Sequence, residues 1–82
     1  MNKQQLIEQL NALGIKPSYY SLDGPSIDGI MLERTVNHYS SNKTYHEWRV
    51  FEQERGIRYN EKIFYLEEEA YNDIYERLKK WK

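Results

Sequence analysis

Eighty-two residues with twelve Lys+Arg, thirteen Asp+Glu and no cysteine set the first limits. A chain this short builds one small core, and a cleft deep enough to enclose a substrate would consume much of it, which argues against an enzyme. A net charge of −1 excludes a bulk basic field that would condense on nucleic acid or anionic lipid, and the lack of cysteine removes disulfides, zinc–thiolate sites and thiol nucleophiles.

The first segment predicts a helix over residues 3–13. Leu6, Leu10 and Leu13 recur at helical spacing, with Ile7 widening the stripe. Asn2 is placed to cap it and Gln5 to complete a capping box. Gly14 at the left-handed position, Ile15 folding back on Leu10, and Pro17 end it.

Residues 19–22 suit a short edge strand, and Asp23-Gly24-Pro25-Ser26 reads as a turn, followed by a second turn signal at Asp28-Gly29. Residues 30–36 predict a strand with Ile30, Leu32 and Val36 on one face, interrupted by Arg34. Residues 37–44 are polar and read as a loop. Residues 45–54 alternate clearly, with Trp48 and Val50 opposed to Glu47, Arg49 and Phe51. Arg55-Gly56 signals a tight hairpin. Residues 57–65 return as a strand whose alternation slips at Asn60-Glu61, where a bulge would restore Phe64 to the inner face. The last helix is predicted over residues 67–81, its stripe made by Ala70, Ile74, Leu78 and Trp81, with acids in its first turn and bases in its last.

The resulting fold class is α+β: one domain over residues 1–82, a three- to four-stranded antiparallel sheet with the N- and C-terminal helices packed on one face. Trp48 is expected to be buried against the helix stripes, near Leu10 and Ile74. Mean hydropathy is −0.97, and the longest apolar run, Ile30-Met31-Leu32, is far short of the roughly 20 residues of a membrane span. Residues 1–5 lack the apolar stretch of a signal peptide, so the expected location is cytoplasmic.

Chemistry-bearing constellations are sparse. His38 and His46 match no zinc spacing, and Ser40 or Ser41 with His38 and an acid make a triad only on paper. The four glycines are scattered, so no phosphate-binding loop is formed. No cofactor or metal is expected. Double-stranded-RNA-binding domains share the element order, but they place a basic cluster where this chain has Glu67-Glu68-Glu69. Arg49, Arg55, Arg58 and Lys62 alternate with Glu47, Glu52, Glu54 and Glu61, a pattern better explained by cross-strand ion pairs.

Eight tyrosines exceed what a small core absorbs, and an apolar ring with a polar tip suits interfaces. Trp48-Arg49-Val50-Phe51, Glu54-Arg55-Gly56, Phe64 and residues 67–70 follow a Trp-x-Val-aromatic, Glu-Arg-Gly, Phe, Glu, Ala pattern. Upstream stand Leu13-Gly14-Ile15 and Tyr20-Ser21-Leu22-Asp23-Gly24. Together these residues resemble the small immunity proteins encoded beside secreted polymorphic toxins in bacteria. Leu66 departs from the pattern, since such proteins often carry a small capping residue there. The resemblance implies a cytoplasmic protein that binds and blocks a cognate toxin. The expected contact residues are Tyr39 and Tyr45 as aromatic anchors and Glu47, Glu52 and Glu54 as acids matched to a basic target. A nucleic-acid-binding module and a homodimeric structural protein are the alternatives.

Overall fold

The computed structural model describes residues 1–23, 28–40 and 42–80, excepting the side chain of Tyr39. The order is α1 (Lys3–Ala12), a single 3-10 turn (Pro17–Tyr19), β1 (Tyr20–Ser21), β2 (Gly29–Ser40), β3 (Lys43–Glu54), β4 (Ile57–Phe64) and α2 (Glu67–Lys80). The expected turn at residues 23–26 and the end of the helix stripe at Trp81 lie wholly or partly outside the described residues.

Both ends of α1 obey the local chemistry. The Asn2 side chain accepts from the Gln5 amide at 2.8 Å while the Gln5 side chain accepts from the Asn2 amide at 2.9 Å. At the other end Gly14 takes φ +78°. The Ile15 amide reaches back to the Leu10 carbonyl and the Gly14 amide to that of Asn11, the paired bonds of a Schellman stop. At the start of α2, Leu66 offers no side-chain cap, and the Ala70 amide bonds to its carbonyl at 3.3 Å.

The four strands lie in sequence order, with β2–β3 and β3–β4 antiparallel. The short β1 corrects the all-antiparallel expectation: it runs parallel to β2, pairing Tyr20 with Ile30 and Ser21 with Met31. The polar segment 37–44 is also corrected. β2 continues to Ser40 and β3 begins at Lys43, so two twelve-residue strands form a long hairpin instead of flanking a loop.

The β3–β4 turn sits where the sequence places it. Arg55 and Gly56 both have positive φ, +53° and +80°, as the two central residues of a type I′ hairpin require. The Asp28 carboxylate accepts from the Arg55 amide at 3.0 Å and ties this turn to the start of β2. In β4 the register shifts between Val50–Lys62 and Glu52–Tyr59, and Asn60 takes φ +54°. This is the predicted bulge, and it returns Phe64 to the helix-covered face, where it packs on the core.

Both helices cover one face. Leu6 and Leu10 from α1 and Ala70, Tyr71, Ile74 and Leu78 from α2 join Ile30, Leu32 and Val50 in one buried cluster. Trp48 lies at the margin of this core, half-buried against it rather than enclosed. The helix layer ends there: its cross-strand partner Arg34 is exposed, and Val36, further out, is 49% exposed.

A charged cluster pins the bulge to α2. The Arg77 guanidinium donates to Asp73 at 2.8 Å and to the Asn60 carbonyl at 2.7 Å, and lies 3.7 Å from Glu52. Glu52 also accepts from the Asn60 side chain at 2.8 Å. Arg77→Ala leaves two largely buried carboxylates without their cation. The expected cost is about 2 kcal/mol, below the range for fully buried pairs because the cluster keeps some contact with water. Urea denaturation checks this, with Arg77→Lys recovering only part of the loss since an ammonium has no planar fork.

Tyr71 contributes a pH dependence. Its hydroxyl donates to Glu67 at 2.7 Å. Burial first, then the Glu67 bond and charge, push its pKa up to about 12. An acid raised on folding stabilises fully below its unfolded pKa of about 10 and loses that contribution as pH climbs through the folded value. Stability should therefore fall between pH 10 and 12, and Tyr71→Phe should flatten that part of the profile in urea melts at stepped pH.

Candidate functional site

Among the described residues no helix packs on the sheet face opposite α1 and α2. Strand alternation and register define this face. It carries Met31, Glu33, Thr35 and Asn37 from β2, Tyr45, Glu47, Arg49 and Phe51 from β3, and Ile63 from β4.

Its two ends differ. At the β3–β4 turn end, Met31 and Phe51 are cross-strand partners and fully buried although no helix covers them. The Arg58 guanidinium lies 4.2 Å from the Phe51 ring centre. The same group pairs with Glu33 at 3.2 Å and Glu61 at 3.8 Å. A cation over an aromatic face, held by two carboxylates, seals this end with side chains whose stems cover apolar surface.

The other end is open and aromatic. Tyr45 and Tyr65 stand with ring centres 6.2 Å apart and tilted by 51°, a favourable arrangement for paired rings. Tyr65 is 62% exposed, and Ile63 is exposed on the same face. Between the two ends lies Glu47, a carboxylate only 7% exposed, paired with Arg49 at 3.1 Å. Burial, and after it the Glu47 charge, raise the Tyr45 pKa, so the ring presents a neutral hydroxyl at physiological pH. Bonding to Glu47 likewise raises Arg49, which stays charged.

The five residues expected at the contact do not share one surface. Tyr45 and Glu47 are brought together on the uncovered face. Glu52 faces the helices in the Arg77 cluster. Glu54 is exposed at the β3–β4 turn. Tyr39 belongs to β2, with its side chain outside the described residues. Tyr65 and Ile63 join Tyr45 and Glu47 on the uncovered face, outside the five expected residues. The signal was there, since a bulge that turns Phe64 inward turns both its neighbours outward.

The interleaved charges pair only in part across strands: Arg58 reaches Glu33 of β2, whereas Arg49–Glu47 and Arg58–Glu61 are pairs within one strand, and neither Arg55 nor Lys62 forms an ion pair among the described residues. Among the described residues no group of three or more His, Asp or Glu is placed to hold a metal ion, and no helix is long and apolar enough to cross a membrane. His38 and His46 are exposed on the outer half of the hairpin, where His46 lies 5.8 Å from the Trp48 ring. No family model, curated protein or solved structure matches the chain.

Proposed function

We propose that this chain is an immunity-type protein that binds a cognate bacterial toxin domain in the cytoplasm and blocks it, without catalysis of its own. The observation that carries the reading is the open end of the uncovered sheet face. There two tilted tyrosines and an exposed isoleucine share the face with a buried, ion-paired carboxylate. Rigid aromatic side chains beside a neutralised charge supply large contact area at low entropic cost, as protein-binding hot spots do. A sheet face suits a folded protein better than a small molecule, which needs a concave pocket. The likeness of Trp48–Phe51, Glu54–Gly56, Phe64 and Glu67–Ala70 to immunity proteins agrees with it.

The contact rests on Tyr45, Tyr65, Ile63 and Glu47. Glu52 is committed to folding contacts and is a poor probe of binding. The test is protection of cells that express the polypeptide encoded by the adjacent reading frame. Wild type should protect them. The double variant Tyr45→Ala/Tyr65→Ala should fail while remaining folded by circular dichroism. Protection by the double variant, or tight salt-dependent binding of the wild type to RNA with no protein partner, would overturn the reading.

A further inference from the structure

Beyond Trp48 the β2–β3 hairpin leaves the helix layer as a two-stranded arm. A cleft of about 430 Å3 opens where the arm meets the helix starts, a size common among small-molecule sites. Its floor is apolar, made by Leu32 and the half-buried Trp48, with Leu22 beside them. Lys3 from the start of α1 and Glu67 and Tyr71 from the start of α2 form one wall. Arg34 of β2 lines the cleft on the arm side.

The charges around this floor resolve one at a time. Lys3 is held by Asp23 at 2.9 Å, so that pair is neutral. Glu33 has the opposite strand parity, and its carboxylate pairs with Arg58 on the other sheet face. Two charges remain. Neither Arg34 nor Glu67 forms an ion pair among the described residues, with each other or with any other group. Both act on Tyr71, whose pKa burial and then Glu67 raise and Arg34 opposes. Glu67 accepts from the Tyr71 hydroxyl through Oε1 at 2.7 Å. That bond fixes the carboxylate in the wall and leaves Oε2 for another donor.

One cation and one anion that line the same apolar floor without satisfying each other are the complement of a zwitterion. A simple anion would meet Glu67, a simple cation would meet Arg34, and a neutral apolar molecule would cover both charges without pairing either. We infer that this cleft binds a free α-amino acid with an apolar side chain, its carboxylate on Arg34, its ammonium on Glu67 and its side chain on Trp48 and Leu32. The planar guanidinium suits a carboxylate held by two parallel hydrogen bonds. The ammonium donates to Glu67 Oε2, and the indole offers the side chain a broad apolar surface. The cleft lies on the helix side of the sheet, opposite the surface proposed for the toxin, and is independent of that reading.

The experiment is an NMR titration of the isotope-labelled full chain with L-phenylalanine. Wild type should bind with a Kd of about 1 mM, the scale that ligand efficiency sets for so small a molecule, and the Leu32 and Trp48 amides should shift. N-acetyl-L-phenylalanine lacks the ammonium and L-phenylalanine amide lacks the carboxylate. Each should bind at least about tenfold more weakly, because one charge in the cleft is then left unpaired. Arg34→Gln should weaken L-phenylalanine by at least about tenfold and erase its advantage over the amide. Glu67→Gln should weaken it to a similar degree and erase its advantage over the N-acetyl derivative. Circular dichroism confirms that these exposed substitutions leave the fold intact. No binding up to about 20 mM overturns the inference. So do shifts confined to residues outside the cleft, derivatives that bind as tightly as the free amino acid, or undiminished affinity in either variant.

Discussion

Gly29→Ala should destabilise the protein by about 3–4 kcal/mol, the sum of backbone strain and an overpacking clash. Gly29 has φ +134°, and a Cβ there would lie 2.4 Å from the Tyr19 carbonyl oxygen and 2.9 Å from its carbon. These are backbone atoms, so no rotamer change relieves the contact. Gly29 is the first residue of β2 and pairs with Gln53. The close approach of the 3-10 turn at this point holds β1 beside β2. Gly56 is the control. It also has positive φ, +80°, but nothing lies within 4 Å of its would-be Cβ. Gly56→Ala should therefore cost only about 1 kcal/mol, the conformational penalty alone. Urea midpoints of the two variants would separate these mechanisms, and equal losses would mean that the Tyr19 contact has no energetic weight.

Trp48→Ala should cost about 3 kcal/mol, the lower end of the range for a large aromatic, because the ring is half-buried and its truncation leaves a cavity open to water on one side. Trp48 pairs with Arg34 and Phe64 across the sheet and floors the cleft beneath the helix starts. Trp48→Phe should recover much of the loss by keeping a ring on the core. A denaturation midpoint unmoved by Trp48→Ala would show that the core stops at Val50.

What was legible in the sequence follows from where burial imposes a pattern. The capping box at Asn2 and Gln5, the Gly14 stop, the Arg55-Gly56 turn and the bulge that re-aims Phe64 were all readable, because each is a local rule with few alternatives. Residues 37–44 read as a loop, though they are largely strand, for a related reason. An arm exposed on both faces has no apolar side to alternate with a polar one, so its strands leave no period-two signal. The parallel direction of β1 was equally hidden, since two residues carry no record of their partner's direction.

The candidate contact was only partly legible. Tyr45 and Glu47 share the odd parity of β3, whereas Glu52 and Glu54 have even parity. Alternation alone separates the two pairs, so the acids form no single cluster. Tyr65 follows β4, and the bulge sets its outward direction, but its pairing with the Tyr45 ring is a tertiary contact. No local sequence rule encodes that tertiary proximity.

Titration calorimetry between the purified chain and the polypeptide encoded by the adjacent reading frame tests the proposed binding most directly. Wild type should bind with a stoichiometry of one partner domain per chain. Tyr45→Ala should lose about 2 kcal/mol of binding free energy while keeping its urea midpoint. Undiminished affinity in the Tyr45→Ala/Tyr65→Ala double variant, or no heat of binding with wild type, would contradict the assignment of the uncovered sheet face to a toxin partner.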